Sequence, residues 1–285
     1  MDVLKIIESN NLVLQEYNLL AESGENYWHS NFLDKNGFSV ASGFGDSINV
    51  SRKIAFSEFL ERSKFNEIKL GSDELRQKWG FSINSMGCGF AAGFDLKNTV
   101  NRSLSEGVER WVMSKWIDEG LHIEQLNSKC VFESLDDVSK WFCRQFDTVL
   151  FFEKTIVVEF FNVFHKIKVG FSMGLKAGGI YPGSSAQVTG GSVWQHALLE
   201  SYRHLLVVKN SVVASSYPEN RIRFFSKNAA VALAKLDSAK NKKWPDSEIL
   251  FHECEAFQGN SYFVARTILK GWSPWNLGPV ERFLY

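Results

Sequence analysis

Two stretches of this chain carry the pattern Glu-x-x-Glu-Arg, each behind a glycine-rich segment. The first runs from Ser42-Gly43-Phe44-Gly45 to Glu58-Phe59-Leu60-Glu61-Arg62, the second from Gly89-Phe90-Ala91-Ala92-Gly93 to Glu106-Gly107-Val108-Glu109-Arg110. Glutamates three residues apart lie on one face of a helix. Mg²⁺ takes one or two carboxylates together with phosphate oxygens rather than a full protein cage. An adjacent arginine can fork onto phosphate, and glycines let backbone N–H groups approach an anion closely. Residues of these types at this spacing can hold a metal–polyphosphate group. One isolated Glu-x-x-Glu-Arg is most often a solvated helix face; two copies, each behind a glycine turn, weaken that reading.

The elements that must position these residues are legible in outline. Phe38–Ala41 reads as a short strand before the first glycine turn, and residues from about Val50 to Arg62 repeat at helical spacing. Gly80–Ile83 reads as a second short strand before the second turn, and about Lys97 to Glu119 is the longest helical signal, stopped by Gly120. Ser134 is a candidate cap for a helix over Val138–Phe146. The runs Val149–Phe152, Thr155–Phe161 and Ile167–Gly174 read as three strands. Gly183 to Arg203 is a third, weaker turn–helix copy, Asn228–Leu236 a further helix, Asn241–Pro245 a solvated linker and Tyr262–Ile268 a late strand. Strands alternating with helices predict a mixed α/β layer structure, and no linker-like segment divides residues 1–285, so one domain is expected.

With 285 residues, 45% of them hydrophobic and 24 of them phenylalanine, the chain can bury a bulky core. Its 32 basic and 32 acidic residues balance, which argues against nucleic-acid binding driven by phosphate neutralisation. Cys88, Cys130, Cys143 and Cys254 form no C-x-x-C pair and read as thiols in a reducing cytoplasm. The N-terminal sequence lacks the features of a signal peptide, and no apolar run is long enough to span a membrane. His196 and His204, eight residues apart, make a poor metal site and read as packing or solvated residues; His252-Glu253-Cys254-Glu255 reads as alternation in an exposed strand. Trp272, Trp275 and Phe283 are candidates for an exposed aromatic patch.

The three copies, in this order, resemble the YcaO superfamily. In that family Gly-x-Gly is followed after thirteen residues by Glu-x-x-Glu-Arg, the interval from Gly45 to Glu58 here. Gly89–Gly93 through Leu104-Ser105-Glu106-Gly107-Val108-Glu109-Arg110 fits the family's second unit, and Ala197-Leu198-Leu199-Glu200 its third. The resemblance implies a YcaO-like fold with three related strand–turn–helix units around one nucleotide cleft. It implies an ATP- and Mg²⁺-dependent enzyme that activates a peptide backbone amide by phosphorylating its oxygen, with azoline-forming cyclodehydration as the first expectation and thioamide or amidine formation as alternatives. Under that resemblance Glu58, Glu61, Glu106, Glu109 and Glu200 bind metal and triphosphate, while Arg62, Arg102, Arg110 and the backbone of Ala91 contact nucleotide. The partners implied are a precursor peptide and a protein that binds its leader. The aromatic content is compatible with a homodimer.

Departures from the pattern support another reading. Phe94 and Asn98 stand where family members usually carry Asn and Glu, Arg102 replaces a Gln, and the proline-rich tail of azoline-forming members is missing. A non-catalytic YcaO-like subunit that docks a peptide or a partner enzyme would also carry this sequence.

Overall fold

In the computed structural model, which describes residues 7, 10–188, 192–210, 217–237, 242–257, 261–274 and 278–282, the chain opens on strands β1 (Val13–Asn18), β2 (Trp28–Leu33) and β3 (Ser39–Gly45). Helices α1 (Ile48–Leu70) and α2 (Asp73–Lys78) follow, then β4 (Phe90–Gly93) and α3 (Leu96–Glu119). Next come β5 (Glu124–Leu126), α4 (Ser128–Ser134), α5 (Asp137–Cys143) and the long strands β6 (Thr148–Phe160), β7 (Val163–Lys176) and β8 (Gly179–Val188). Helices α6 (Trp194–Asn210), α7 (Tyr217–Phe225) and α8 (Ala229–Asp237) lead to β9 (Ile249–Phe257) and β10 (Tyr262–Leu269). The sheet orders are β1-β2-β3, β4-β10-β9 and β5-β6-β7-β8. No helix among the described residues is long and apolar enough to cross a membrane.

The chain divides into two compact units, Met1–Ser103 with His252–Arg266, and Leu104–Phe251 with Thr267–Tyr285. In the first, α1 is started by Ser47, whose hydroxyl accepts from the Val50 amide at 3.3 Å. Its apolar side joins Phe32, Ala41, Ala55, Phe56 and Tyr262 in one cluster, while Ile68, Trp79, Phe90, Ala92 and Val264 form a second. In the second unit Trp116 packs on Phe152 and Phe171, with ring centroids 5.1 and 4.9 Å away. Helix α6 lies on β7 and β8.

The glycine-rich segments are mostly strand rather than turn, and Gly89, at φ 75° before β4, is the one of the quoted glycines in a turn. Gly43 lies within β3, where an added Cβ would collide with the Ser51 carbonyl oxygen on α1. Gly183 lies within β8, where a Cβ would collide with the Ala197 carbonyl oxygen of α6. Both exist to let a helix backbone settle onto a strand, a use of glycine that leaves the same spacing in sequence as an anion-binding turn.

Three further expectations change for identifiable reasons. Gly80–Ile83 is a turn, closed by Ile83 and Asn84 amides donating to Gly80 O at 3.1 and 3.0 Å. The fully buried Arg266 holds it by donating to the carbonyls of Trp79, Asn84 and Met86 at 2.5, 2.7 and 2.7 Å, with its guanidinium over the Phe81 and Phe90 rings. Thr148–Phe160 is one strand, because β7 pairs with it without interruption from Leu175 to Val163. Helix α5 is capped by Asp136, whose carboxylate accepts from the Ser139 amide at 2.7 Å, while Ser134 ends α4.

Candidate functional site

The helix that carries the second Glu-x-x-Glu-Arg begins at Asp95, whose carboxylate accepts from the Asn98 amide at 2.8 Å. Three turns on, in the second unit, Glu109 is buried and Glu106 and Arg110 are partly so. The Ser184 hydroxyl of β8 donates to Glu109 Oε1 at 2.7 Å. Arg110 lies 3.8 Å from Glu106 Oε1 and 4.0 Å from Glu109 Oε1. A buried carboxylate is retained only with such partners.

Glu200 comes from α6 of the same unit. Arg203 Nη1 donates to its Oε1 at 2.7 Å, and His196 Nε2 stands 3.9 Å away. Burial works against the charge of Glu200, but the Arg203 guanidinium beside it, with lesser help from His196 and His204, outweighs this and holds the carboxyl down at about 2. One turn further, the buried His204 donates from Nδ1 to the Pro182 carbonyl at 2.6 Å. Burial pushes its pKa down to about 4, against the pull of Glu200, and the Arg110 charge pushes the same way. His204 therefore senses both the α3 arginine and the α6 glutamate, and it is neutral at pH 7.

The first unit places the other expected residues as follows. Glu58 Oε2 accepts from the Ser42 amide at 2.7 Å, and its Oε1 accepts from Arg62 at 2.5 Å. Arg62 also donates to Val40 O at 2.9 Å. Glu61 stands partly buried one turn on. Ala91 is buried in β4, opposite Ala265, and Arg102 donates to the Ala92 carbonyl at 2.9 Å. Phe94 joins an aromatic group, 5.7 Å from both Phe56 and Tyr262. Among the described residues no three His, Cys, Asp or Glu side chains gather as a metal cage.

Comparison with known proteins adds the fold. No protein-family model matches the sequence, and no curated protein matches it. Among solved structures, a YcaO from Methanopyrus kandleri bound with AMPPCP and Mg²⁺ is similar at a TM-score of 0.61 and 14% identity, over 95% of this chain and 89% of that one. The chain has the YcaO fold. The same fold is found in an E. coli microcin synthetase McbBCD complex with pro-MccB17 bound, at a TM-score of 0.55 and 12% identity over 90% of this chain and 86% of that one. It is found again in a heterocyclase in complex with substrate and cofactor, at 0.58 and 9%, over 96% of this chain and 52% of that one.

Glu106, Glu109 and Arg110 on α3 and Glu200 and Arg203 on α6 are of the residue types that bind magnesium and phosphate, and Mg²⁺ asks for one or two carboxylates when phosphate supplies the rest. Sequence reasoning missed Ser184, whose partner lies 75 positions away. It read His204 as a packing or solvated residue, which its burial bears out, but its coupling to Glu200 and its bond to Pro182 went unread. Its place four residues after Glu200, on the same helix face, was the available signal. Trp275 and Phe283 of the expected aromatic patch lie outside the described residues.

Proposed function

We propose that this protein is an ATP- and Mg²⁺-dependent enzyme of the YcaO type that modifies a peptide backbone amide, with azoline-forming cyclodehydration as its reaction. The observation that carries the reading is Glu109, a buried carboxylate fixed by Ser184 beside Arg110, in a motif that resembles the YcaO family's and a fold shared with a YcaO that was bound with AMPPCP and Mg²⁺. An amide oxygen is a poor leaving group, and phosphorylation makes it a good one. Bound Mg²⁺ would neutralise triphosphate charge. By the motif resemblance one or two of Glu106, Glu109 and Glu200 would hold that metal, since no three such side chains gather among the described residues, and Arg110 would bind phosphate oxygens. Glu58, Glu61, Arg62, Ala91 and Arg102 enter the proposal through the motif resemblance, beside the local bonds each already makes. The substrate is a ribosomally made precursor peptide delivered by a leader-binding partner, and the thiol cysteines fit a cytoplasmic setting.

A thermal-shift titration tests this. At a concentration 100 times its Kd, MgATP stabilises the protein by about 2.7 kcal/mol. The wild-type melting temperature should rise with MgATP and not with ATP alone, and Glu106→Gln should abolish the rise while melting normally. No rise at millimolar MgATP in the wild type would refute the nucleotide site. That result would favour the second reading, a peptide-docking subunit without catalysis. Phe94 motivates it, since an aromatic stack occupies a position where a polar group is usual.

A further inference from the structure

The end of the β6–β7 hairpin, in the second unit, has one buried face and one bare face. Ile156, Val158 and Phe160 are buried, as is Ile167 opposite Ile156. The residues between them point the other way. On that outer face Val157 stands opposite Lys166, and Glu159 opposite Phe164. All four are exposed, Val157 at 57% and Phe164 at 71%. The chain's own run after Trp244 meets β6 at its edge, not on this face. There the Ser247 hydroxyl donates to the Val157 carbonyl at 2.7 Å, and the Val157 side chain stays in solvent.

These four side chains mark out a rectangle about 5 Å across the strands and about 7 Å along them. Its two diagonals differ in kind. Val157 and Phe164 occupy one, and Glu159 and Lys166 the other. Neither Glu159 nor Lys166 makes an ion pair among the described residues, whereas the next lysine on the face, Lys168, is taken by Glu153 at 3.1 Å. At the tip of the hairpin Phe161 and Val163 are exposed as well, at 73% and 55%. Single exposed apolar residues need no partner, but a contiguous set of them marks a contact surface.

We propose that this face binds the same face of a second copy of the chain, about a two-fold axis along the line from Val157 to Phe164. Turning the rectangle over about that diagonal sets Val157 on the partner's Val157 and Phe164 on the partner's Phe164. It also brings Glu159 to the partner's Lys166, and Lys166 to the partner's Glu159. Such self-complementarity is what a two-fold contact requires. The other two axes in the plane of the face fail. An axis along the strands sets Val157 on the partner's Lys166 and Phe164 on the partner's Glu159; an axis across them sets Val157 on the partner's Glu159 and Phe164 on the partner's Lys166. Either would press each charge against hydrocarbon, which is unfavourable. Charge complementarity therefore selects both the occupant and the register. The diagonal axis makes the strands of the two copies cross steeply, near the orthogonal class of sheet packing. A face of this size belongs at the low end of specific interfaces, under about 1,200 Å² in total, so the dimer is reversible.

The test is sedimentation velocity of the full chain, without nucleotide, at concentrations up to about 100 μM, well above a micromolar Kd. The wild type should pass from monomer to dimer over this range. Glu159→Lys or Lys166→Glu alone sets like charges together twice about the axis and should weaken the dimer about tenfold or more. The double variant carrying both changes restores two opposite pairs and should recover most of the lost affinity. Phe164→Asp should remain a monomer. All three positions are exposed, so each variant should melt close to wild type. A wild type that stays monomeric throughout would overturn the proposal and leave the face to a different partner. A dimer indifferent to the single changes, or a double variant no better than either single one, would overturn it too. The MgATP thermal shift is a separate readout, so failure of this contact and failure of the nucleotide reading are distinguishable.

Discussion

Replacing His204 by Asn should flatten the acid limb of the protein's stability curve. The side chain is 3% exposed, and its Nδ1–H is committed to the Pro182 carbonyl at 2.6 Å. Burial holds its pKa at about 4 in the folded protein, against 6.5 for the unconstrained side chain. Between these values the unfolded chain binds the proton and the folded one does not, so stability is complete above pH 6.5 and is lost as pH falls toward 4. At about 1.36 kcal/mol for each pH unit between the two values, the whole effect is about 3 kcal/mol, of which about 2 kcal/mol is spent between pH 7 and pH 5. At about 2–4 °C per kcal/mol, that is a fall of roughly 4–8 °C in melting temperature. Asn keeps an N–H for Pro182 O and does not titrate. It should cost a constant amount for lost volume and remove this part of the pH dependence. Glu200 does not confuse the measurement. Its depressed pKa of about 2 places its own loss of stability below pH 4.5. Thermal melts of both proteins at pH 7 and pH 5 decide the matter. Equal falls in wild type and variant would refute the claim that His204 is neutral and desolvated in the native state.

Two substitutions probe the frame that holds the site. Gly183→Ala drives a Cβ into a helix carbonyl, a backbone group that cannot turn aside, and should cost about 3 kcal/mol or more in urea denaturation, with Gly43→Ala close behind; a loss under about 1 kcal/mol would mean that α6 is not seated as described. Arg266→Met, similar in volume, leaves three buried carbonyls without their donor and should cost at least about 3 kcal/mol by the same measurement, together with a loss of near-ultraviolet dichroism from Trp79; a neutral result would show that the 79–86 turn holds itself.

The sequence was most informative where one helix face repeats. Residues Leu96–Glu119 read almost to the residue, because a regular apolar spacing and a terminal glycine state both ends of a helix. It misled where one residue type serves two geometries. Gly43 and Gly183 read as loop glycines because turn and close strand–helix contact both demand the missing Cβ. Gly80–Ile83 read as a strand because its apolar pair looks like one, and the residue that bends it, Arg266, lies 182 positions from Asn84. The acid–base order of the site was partly legible. The glutamates and arginines stand out by spacing. The hydroxyl that holds Glu109 and the carbonyl that fixes His204 depend on strand register, which one sequence does not display.

The two units solve one packing problem twice, and the shared solution explains where their charges lie. In each, a strand glycine receives a helix: Gly43 under Ser51 and Ala55, Gly183 under Ala197 and Ser201. A buried serine pair ties helix to sheet in both, Ser30 to Ser51 and Ser172 to Ser201, each at 2.7 Å. Three residues after Ala55 stands Glu58, and three residues after Ser201 stands His204. Each grips the backbone of the residue before the glycine, Glu58 accepting from the Ser42 amide and His204 donating to the Pro182 carbonyl. Proline has no N–H, so a carboxylate at position 204 would meet a carbonyl and no donor, and a group that donates is required there. The second unit therefore carries its acid one helical turn earlier, at Glu200, where Arg203 compensates the charge. A single imino acid in a strand thus decides whether the residue facing it on the helix must donate or can accept.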